Sequence, residues 1–192
     1  MESLLVSTGV VALAEIGDKT QLLAFILAAR FKKPIPIILG ILLATIVNHG
    51  LAGALGAWIT ASVSPEVLRW VLGLSFIGMA VWTMIPDKIE EEETQIAKKF
   101  GVFGATLITF FLAEMGDKTQ IATVAMATHY AAPLMVVIGT TLGMLIADIP
   151  AVFAGEKFAT KIPMKLVHSI AAAIFVALGI ATLLGAGEEL GF

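Results

Sequence analysis

The sequence contains no cysteine and has few charged residues for its length. Without thiols it forms no disulfides, thiolate metal sites or redox motifs. Charged residues make up 14% of the 192 residues and hydrophobic residues 58%, which leaves too little charge to cover a soluble domain. Apolar runs of about 20 residues, the length that crosses a bilayer, recur along the chain. We therefore predict an all-α, polytopic membrane protein whose surroundings are the lipid bilayer.

Further absences restrict the function. The first thirty residues lack the basic n-region of a signal peptide and carry Glu15, Asp18 and Lys19 within their apolar stretch. The net charge is -3, and no basic patch indicates a nucleic-acid partner. The sequence has neither a zinc-binding H-E-x-x-H motif nor a phosphate-binding G-x-x-x-x-G-K-[ST] motif. We expect neither an enzyme nor a prosthetic group.

Six hydrophobic spans follow one another, separated by segments rich in proline and charge. The separating segments are RFKKPIP, SVSPE, IPDKIEEEETQIAKKFG, HYAAP and EKFATKIP, which are typical of turns and loops. The predicted transmembrane helices are Leu4–Ala29, Ile35–Ile59, Val67–Ile85, Val102–Thr128, Leu134–Ala154 and Met164–Leu184.

The chain aligns with itself at an offset of 99 residues. The most similar segments are ALAEIGDKTQLL, which begins at Ala12, and FLAEMGDKTQIA, which begins at Phe111. Because the repeat unit is three helices, an odd number, its second copy must cross the bilayer in the opposite direction. We therefore predict two inverted repeats joined by a linker. The predicted domains are repeat 1, an acidic cytoplasmic linker and repeat 2, at residues 1–86, 87–100 and 101–192.

Lysine and arginine are distributed unevenly between the predicted loops. One side of the membrane has only Arg69. The other side collects Arg30, Lys32, Lys33, Lys88, Lys98, Lys99, Lys157, Lys161 and Lys165. Because basic residues concentrate in cytoplasmic loops, we predict that the first, central and fifth loops are cytoplasmic. Both termini then face outward.

Each repeat places acidic residues in the middle of an apolar span. A carboxylate at this depth is costly unless it is paired, protonated or bound to a metal, so it usually marks function. On a straight helix Glu15 and Asp18 are about 60° apart and project to one side, as do Glu114 and Asp117. Inverted repeats bring such pairs together near the midplane, so the sequence predicts a metal site there. Further oxygens come from Thr20, Gln21, Thr119 and Gln120.

A glycine separates the two acids of each pair. Gly17 and Gly116 either let a neighbouring helix approach closely or break the helix and expose carbonyl oxygens as additional ligands. Lys19 follows Glu15 by four residues, so each motif is alternatively an internal ion pair that assists insertion. Two copies at a predicted repeat interface favour the functional interpretation.

The charges of the two motifs match one divalent cation. Four ionised carboxylates together with Lys19 and Lys118 sum to -2, which one divalent cation neutralises. In its absence, protons neutralise the same acids. A site that alternates between a divalent ion and protons is the basis of cation/proton exchange. Carboxylate and amide oxygens without thiolates favour Ca²⁺, Mn²⁺ or Mg²⁺ over copper or zinc.

The pair EIGDKT and EMGDKT resembles the duplicated E-x-G-D-[KR]-[TS] signature of the Ca²⁺/Mn²⁺ exchanger family. That family lies within the lysine-exporter superfamily and includes the eukaryotic Golgi manganese transporter and bacterial manganese exporters. The resemblance covers two intact signatures, six spans and the acidic central loop. It implies that Glu15, Asp18, Glu114 and Asp117 bind Mn²⁺ or Ca²⁺, which moves against H⁺. The compact form resembles the bacterial exporters, so we expect export across a bacterial plasma membrane.

Further polar residues lie within the second and fifth spans. Asp148 aligns with His49 at the repeat offset. It either relays protons and lines an access path, or caps backbone amides beside Pro150. We interpret His49 as a packed histidine rather than a ligand. The predicted proton relay or access path comprises Asp148, Asn48, Lys19 and Lys118.

Two other transport mechanisms use the same acids. An exporter of basic amino acids would bind the ammonium group of its substrate, and a cation channel would line its pore with carboxylates. Saturable flux driven by a pH gradient separates an exchanger from a channel. Competition by lysine identifies an amino-acid exporter.

Overall fold

A computed structural model describes residues 1–85, 100–154 and 164–185, and within these residues it contains eight α-helices and no strand. The prediction of an all-α protein is confirmed. Most of the predicted linker, residues 87–100, lies outside the described part of the chain. The helices are α1 (Glu2–Glu15), α2 (Lys19–Phe31), α3 (Pro34–Ser62), α4 (Pro65–Thr83), α5 (Gly101–Glu114), α6 (Lys118–His129), α7 (Pro133–Ala154) and α8 (Met164–Leu183).

Continuous helices form four of the six predicted spans. Within the described residues, three stretches are long and apolar enough to cross a membrane alone, namely Pro34–Ser62, Pro65–Thr83 and Pro133–Phe153. Helix α8 contains a shorter apolar stretch, Ser169–Leu183. Helices α3, α4 and α7 each begin at a proline, whose fixed φ suits the first helical turn and which has no N–H to leave unpaired. The predicted boundaries of these four spans agree with the observed helices to within three residues.

The first and fourth spans are each divided into two half-helices, α1 with α2 and α5 with α6. The prediction of one continuous helix is wrong for both. The halves contain 14, 13, 14 and 12 residues, so each is about 20 Å long at about 1.5 Å per residue. Only two halves together cross a hydrocarbon core of about 30 Å, which places each break near the middle of the bilayer.

The two inverted repeats interlock through their broken spans. Helix α1 packs along α7 and α5 packs along α3, so each broken span lies against the second span of the other repeat. Glycine allows this close approach. A Cβ atom added to Gly40 would lie 2.7 Å from the Cβ atom of Thr106, and one added to Gly143 would lie 2.6 Å from a backbone oxygen of α1. Gly139 meets Ser7 as Gly40 meets Thr106, so the contact is repeated at the same offset.

The outer and inner surfaces of the bundle differ in polarity. Along α3 the side chains of Leu39, Leu43, Val47 and Leu51 are exposed, whereas Asn48 is buried on the opposite side. Further threonines and acids are buried between the helices. A protein in lipid requires an apolar exterior around a polar interior. In this arrangement the acids of both motifs face the repeat interface.

Candidate cation site

The two sequence motifs form the two helix breaks, and the breaks have the same backbone geometry. Glu15 ends α1, Ile16 is extended at φ -63° and ψ 112°, and Asp18 precedes α2 at φ -78° and ψ 170°. The corresponding angles at 114–117 agree to within about 10°. Gly17 has a φ of 87° and Gly116 a φ of 78°, a conformation that only glycine adopts without a steric cost.

The glutamines of the motifs stabilise the breaks from within. The Gly17 N–H donates to Gln21 Oε1 at 2.9 Å, and the Gly116 N–H donates to Gln120 Oε1 at 2.7 Å. A backbone amide released from the helix would otherwise lack a partner at a depth where water is scarce. The side-chain carbonyl of each glutamine therefore accepts a hydrogen bond from the backbone amide that has no helical partner at the break of the same motif.

The amide nitrogens of the same glutamines bind the other repeat. Gln21 Nε2 donates to the Ala147 carbonyl of α7 at 2.9 Å. Gln120 Nε2 donates to Asn48 Oδ1 of α3 at 3.4 Å, and Asn48 Nδ2 donates to the Phe111 carbonyl of α5 at 3.0 Å. No sequence signal identifies Ala147, because it contributes a backbone carbonyl and not a side chain. Asn48, which was predicted to lie on an access path, joins α3 to α5 and α6 in the structure.

The threonines of the motifs hold the glutamates. Thr20 Oγ1 donates to Glu15 Oε2 at 2.6 Å, and Thr119 Oγ1 donates to Glu114 Oε2 at 2.8 Å. Both glutamates are completely buried, and the second oxygen of each, Oε1, has no hydrogen-bond partner within the described ranges. Each carboxylate is thus oriented by one oxygen and offers the other to a ligand.

Three of the four predicted acids converge at the repeat interface. Glu15, Glu114 and Asp117 each offer one ligand oxygen, and these oxygens all lie within 4.8 Å of one another. We refer to these three residues as the carboxylate triad. Their oxygens are the donors that Mn²⁺, Ca²⁺ and Mg²⁺ prefer. Asp18 lies outside the triad, although it is equally buried.

Two ion pairs connect the motifs across the interface. Lys19 Nζ lies 3.4 Å from Asp117 Oδ1, and Lys118 Nζ lies 3.3 Å from Asp18 Oδ1. The alternative in which Lys19 pairs with Glu15 within its own motif is not what the structure shows. Each lysine instead neutralises the aspartate of the other repeat, so the two motifs are interdependent.

A fifth buried acid lies near the triad. Asp148 lies on α7, which packs against α1 and α6, and it directly follows Ala147, whose carbonyl accepts the hydrogen bond from Gln21. Its side chain is completely buried. Its two oxygens have no hydrogen-bond partner among the described residues, so the alternative role as a cap of backbone amides is not observed. His49, its equivalent on α3, is also fully buried, and its ring nitrogens have no partner in the same part of the chain.

This architecture defines a class of protein. Inverted three-helix repeats, helices broken near the midplane, and acids gathered at the breaks are the features of secondary transporters. Buried carboxylates that face a repeat interface rather than lipid are typical of ion pathways. The fold and the site together are those of a membrane transporter for a cation.

Comparison with known proteins identifies the family. The sequence pattern of the family described as "Divalent cation/proton antiporter GDT1" matches residues 3–91 and 102–190. These two matches have the same 99-residue offset as the two motifs. The chain therefore belongs to the GDT1 family of divalent cation/proton antiporters. It is accordingly a transporter rather than an enzyme, and the divalent cation and protons are transported species.

Relatives from bacteria and plants support this assignment. A Vibrio cholerae protein named "Putative manganese exporter" is 50% identical over 183 residues, which cover 95% of this chain and 90% of that protein. The rice protein named GDT1-like protein 3 is 30% identical over 207 residues, which cover 94% of this chain and 73% of its own length. The Arabidopsis thaliana protein of the same name is 28% identical over 208 residues, which cover 94% of this chain and 70% of that protein. No solved structure matches this chain.

Proposed function

We propose that this protein exports Mn²⁺ from the cytoplasm in exchange for protons, through a site formed by Glu15, Asp18, Glu114 and Asp117. The observation that carries this proposal is the carboxylate triad. Three buried carboxylates whose oxygens lie within 4.8 Å of one another repel strongly when ionised, and a divalent cation removes that repulsion. Membrane-buried acids without a cation or protons would be too costly to maintain.

Charge balance explains how the cation and protons alternate. The two motifs carry four carboxylates and two lysines, so one divalent cation or two protons make them neutral. The change of accessible side costs less free energy when the site is neutral than when it is charged, because the dielectric constant near the midplane is low. The protein therefore changes its accessibility with either the cation or protons bound, and this alternation couples the two fluxes.

The donor set and one relative favour Mn²⁺ as the transported ion. Carboxylate, hydroxyl and amide oxygens suit Mn²⁺, Ca²⁺ and Mg²⁺. Among these ions, the name of the Vibrio cholerae relative specifies manganese. Ca²⁺ is the second candidate, because it accepts the same oxygens at slightly longer distances.

Residues around the four acids support the exchange in this proposal. Thr20 and Thr119 orient the two glutamates, and Gln21 and Gln120 hold the breaks open. Direct ligation of the cation by these four side chains stays a prediction. The predicted proton relay or access path also stays a prediction, and it comprises Asp148, Asn48, Lys19 and Lys118.

The proton gradient sets the direction of transport, and the predicted orientation gives the loops that face the cytoplasm. The excess of basic residues supports a topology in which the first, central and fifth loops are cytoplasmic and both termini are outside. In a bacterial plasma membrane the proton gradient points inward. Protons that enter the cytoplasm in exchange for the divalent cation then drive the cation out. This export protects the cell from excess metal.

Transport by purified protein in liposomes tests this function. We would measure uptake of Mn²⁺, Ca²⁺ and Mg²⁺ with an imposed pH gradient, and repeat the Mn²⁺ measurement with excess lysine. We expect saturable Mn²⁺ flux that lysine does not inhibit and that Glu114→Gln abolishes. Flux that does not saturate would indicate a channel, and inhibition by lysine would indicate an amino-acid exporter. Either result would contradict the proposal.

A further inference from the structure

We propose that Lys19 is an internal counter-cation that the transported ion displaces, whereas Lys118 remains with its aspartate in this conformation. The inference rests on the proposed function and specifies which group balances the charge of Asp117 when no cation is bound. Both lysines occupy the same position in their repeats and both pair with the aspartate of the other repeat. The two lysines nevertheless differ in their exposure and in the acid with which they pair.

The first difference is exposure. The side chain of Lys19 is 22% exposed, whereas that of Lys118 is 2% exposed. An ammonium group that leaves its carboxylate must reach water or another anion, because an unpaired charge inside a bilayer is very costly. The Lys19 side chain therefore has open space beside it into which it can move away from Asp117, and the Lys118 side chain has almost none.

The second difference is the acid that each lysine holds. Lys19 pairs with Asp117, which is one of the three acids of the carboxylate triad. Lys118 pairs with Asp18, which lies outside the triad. A cation that binds the triad therefore takes over the Asp117 charge that Lys19 balances in its absence, while the pair between Lys118 and Asp18 is left intact.

The two equivalent ion pairs therefore differ in this conformation: the pair of Lys19 and Asp117 can be opened by the cation, whereas the pair of Lys118 and Asp18 is enclosed. Inverted repeats exchange their conformations when a transporter changes its accessible side. In the opposite state Lys118 would therefore become the displaceable lysine and Lys19 the sealed one. Each lysine would balance an aspartate in turn, and two protons would neutralise the charge that remains on the cation-free site.

The test compares neutral variants of the two lysines. Methionine has a similar length without the charge, so we would prepare Lys19→Met, Lys118→Met and, as a matched control, Lys33→Met at an exposed lysine. Mn²⁺ binding to each purified protein would be measured by electron paramagnetic resonance at one alkaline pH. Lys19→Arg, which retains the charge, would show whether charge rather than side-chain shape matters.

We expect Lys19→Met to bind Mn²⁺ roughly tenfold more tightly than the wild type, because a competing positive charge next to the triad is gone. Lys118→Met and Lys19→Arg should show no such gain, and Lys33→Met should bind like the wild type. Weaker binding by Lys19→Met, or an equal gain in Lys118→Met, would overturn the inference while leaving the proposed function intact. If Lys118→Met aggregates, the comparison of Lys19→Met with Lys19→Arg decides alone. A wild-type protein that binds no Mn²⁺ would contradict the proposed function itself.

Discussion

Each glutamate of the site has two oxygens with different environments. One oxygen of Glu15 accepts a hydrogen bond from Thr20, and one oxygen of Glu114 accepts a hydrogen bond from Thr119. The other oxygen of each is buried and has no partner among the residues that the structure describes. Hydrogen bonds of this kind fix the direction of a metal-binding carboxylate and tune its affinity. The site therefore depends on the glutamates and on the hydroxyls that hold them.

Neutral amide variants of the four acids test the shared site. We expect Glu15→Gln, Asp18→Asn, Glu114→Gln and Asp117→Asn each to reduce Mn²⁺ transport at least about tenfold, because each removes one charge from a balanced set. The measurement is initial uptake into liposomes, with folding checked by size-exclusion chromatography. The control is Glu66→Gln, at an exposed acid in the first turn of α4, which should transport normally. Normal transport by any two of the four variants would refute a shared site.

For substitutions that remove the threonine hydroxyls we predict a smaller effect on the site. We expect Thr20→Val and Thr119→Val to weaken Mn²⁺ binding about tenfold without abolishing transport, because the glutamates keep their charge but lose their orientation. Binding titrations of the purified variants would measure this. Thr109→Val is the matched control, because the Thr109 hydroxyl bonds only carbonyls of its own helix. Equal effects at Thr109 would show that the loss is structural.

The divided spans are the elements that carry the site. Their positions could be predicted from the sequence, since hydropathy identifies each span and the repeat aligns the two motifs. Their division could not, because the break residues lie within apolar runs and a hydropathy window does not detect a positive φ at Gly17. Glycine between two acids permits a break but does not require one. The acids therefore lie at helix ends rather than on one face of a straight helix.

Alanine at the second break tests whether its geometry matters. Gly116 has a φ of 78° and open space where a Cβ atom would lie, so Gly116→Ala adds backbone strain without a clash. We expect the unfolding free energy to fall by roughly 1–2 kcal/mol and transport to decrease. Thermal unfolding in detergent and liposome uptake would measure the two effects.

Gly9→Ala is the control for the break, since Gly9 lies within α1 and also has open space around it. Alanine is favoured over glycine in a helix by up to about 1 kcal/mol, so this variant should be as stable as the wild type or more so. The two substitutions are chemically identical and should act in opposite directions. A destabilised Gly9→Ala, or an unaffected Gly116→Ala, would show that the positive φ is not important.

At the scale of the whole molecule, the repeats depend on each other. The sequence predicts that the motifs meet, because inverted repeats place their first spans together. It does not predict that Lys19 pairs with Asp117 rather than with Glu15, since an i,i+4 pair on one helix is the simpler expectation. The break prevents that pair by placing Glu15 and Lys19 on separate helices. The cross-repeat pairs thus follow from a backbone feature that hydropathy does not reveal.

The orientation of the molecule is a further prediction. The chain has no cysteine, so single cysteines report accessibility without background. We expect Gln95→Cys, in the predicted central loop, to react with an impermeant thiol reagent only after the cells are permeabilised. Ser64→Cys, in the exposed turn between α3 and α4, should react in intact cells. The opposite pattern would contradict the proposed topology.

The central claim is that one set of carboxylates binds either a divalent cation or protons. If so, Mn²⁺ affinity falls as the pH falls, because a protonated carboxylate is not an anionic ligand. Mn²⁺ should also move toward the more acidic compartment, since protons leaving that compartment drive the exchange.

The most direct measurement records both fluxes in the same liposomes, with Mn²⁺ uptake and internal pH followed together. We predict that a pH gradient with the acidic side inside accelerates Mn²⁺ uptake and that each uptake is accompanied by proton exit. Reversing the gradient should reverse the Mn²⁺ flux, and Glu114→Gln should abolish both signals. Mn²⁺ flux that is unaffected by either gradient, with no change of internal pH, would contradict exchange at a shared carboxylate site.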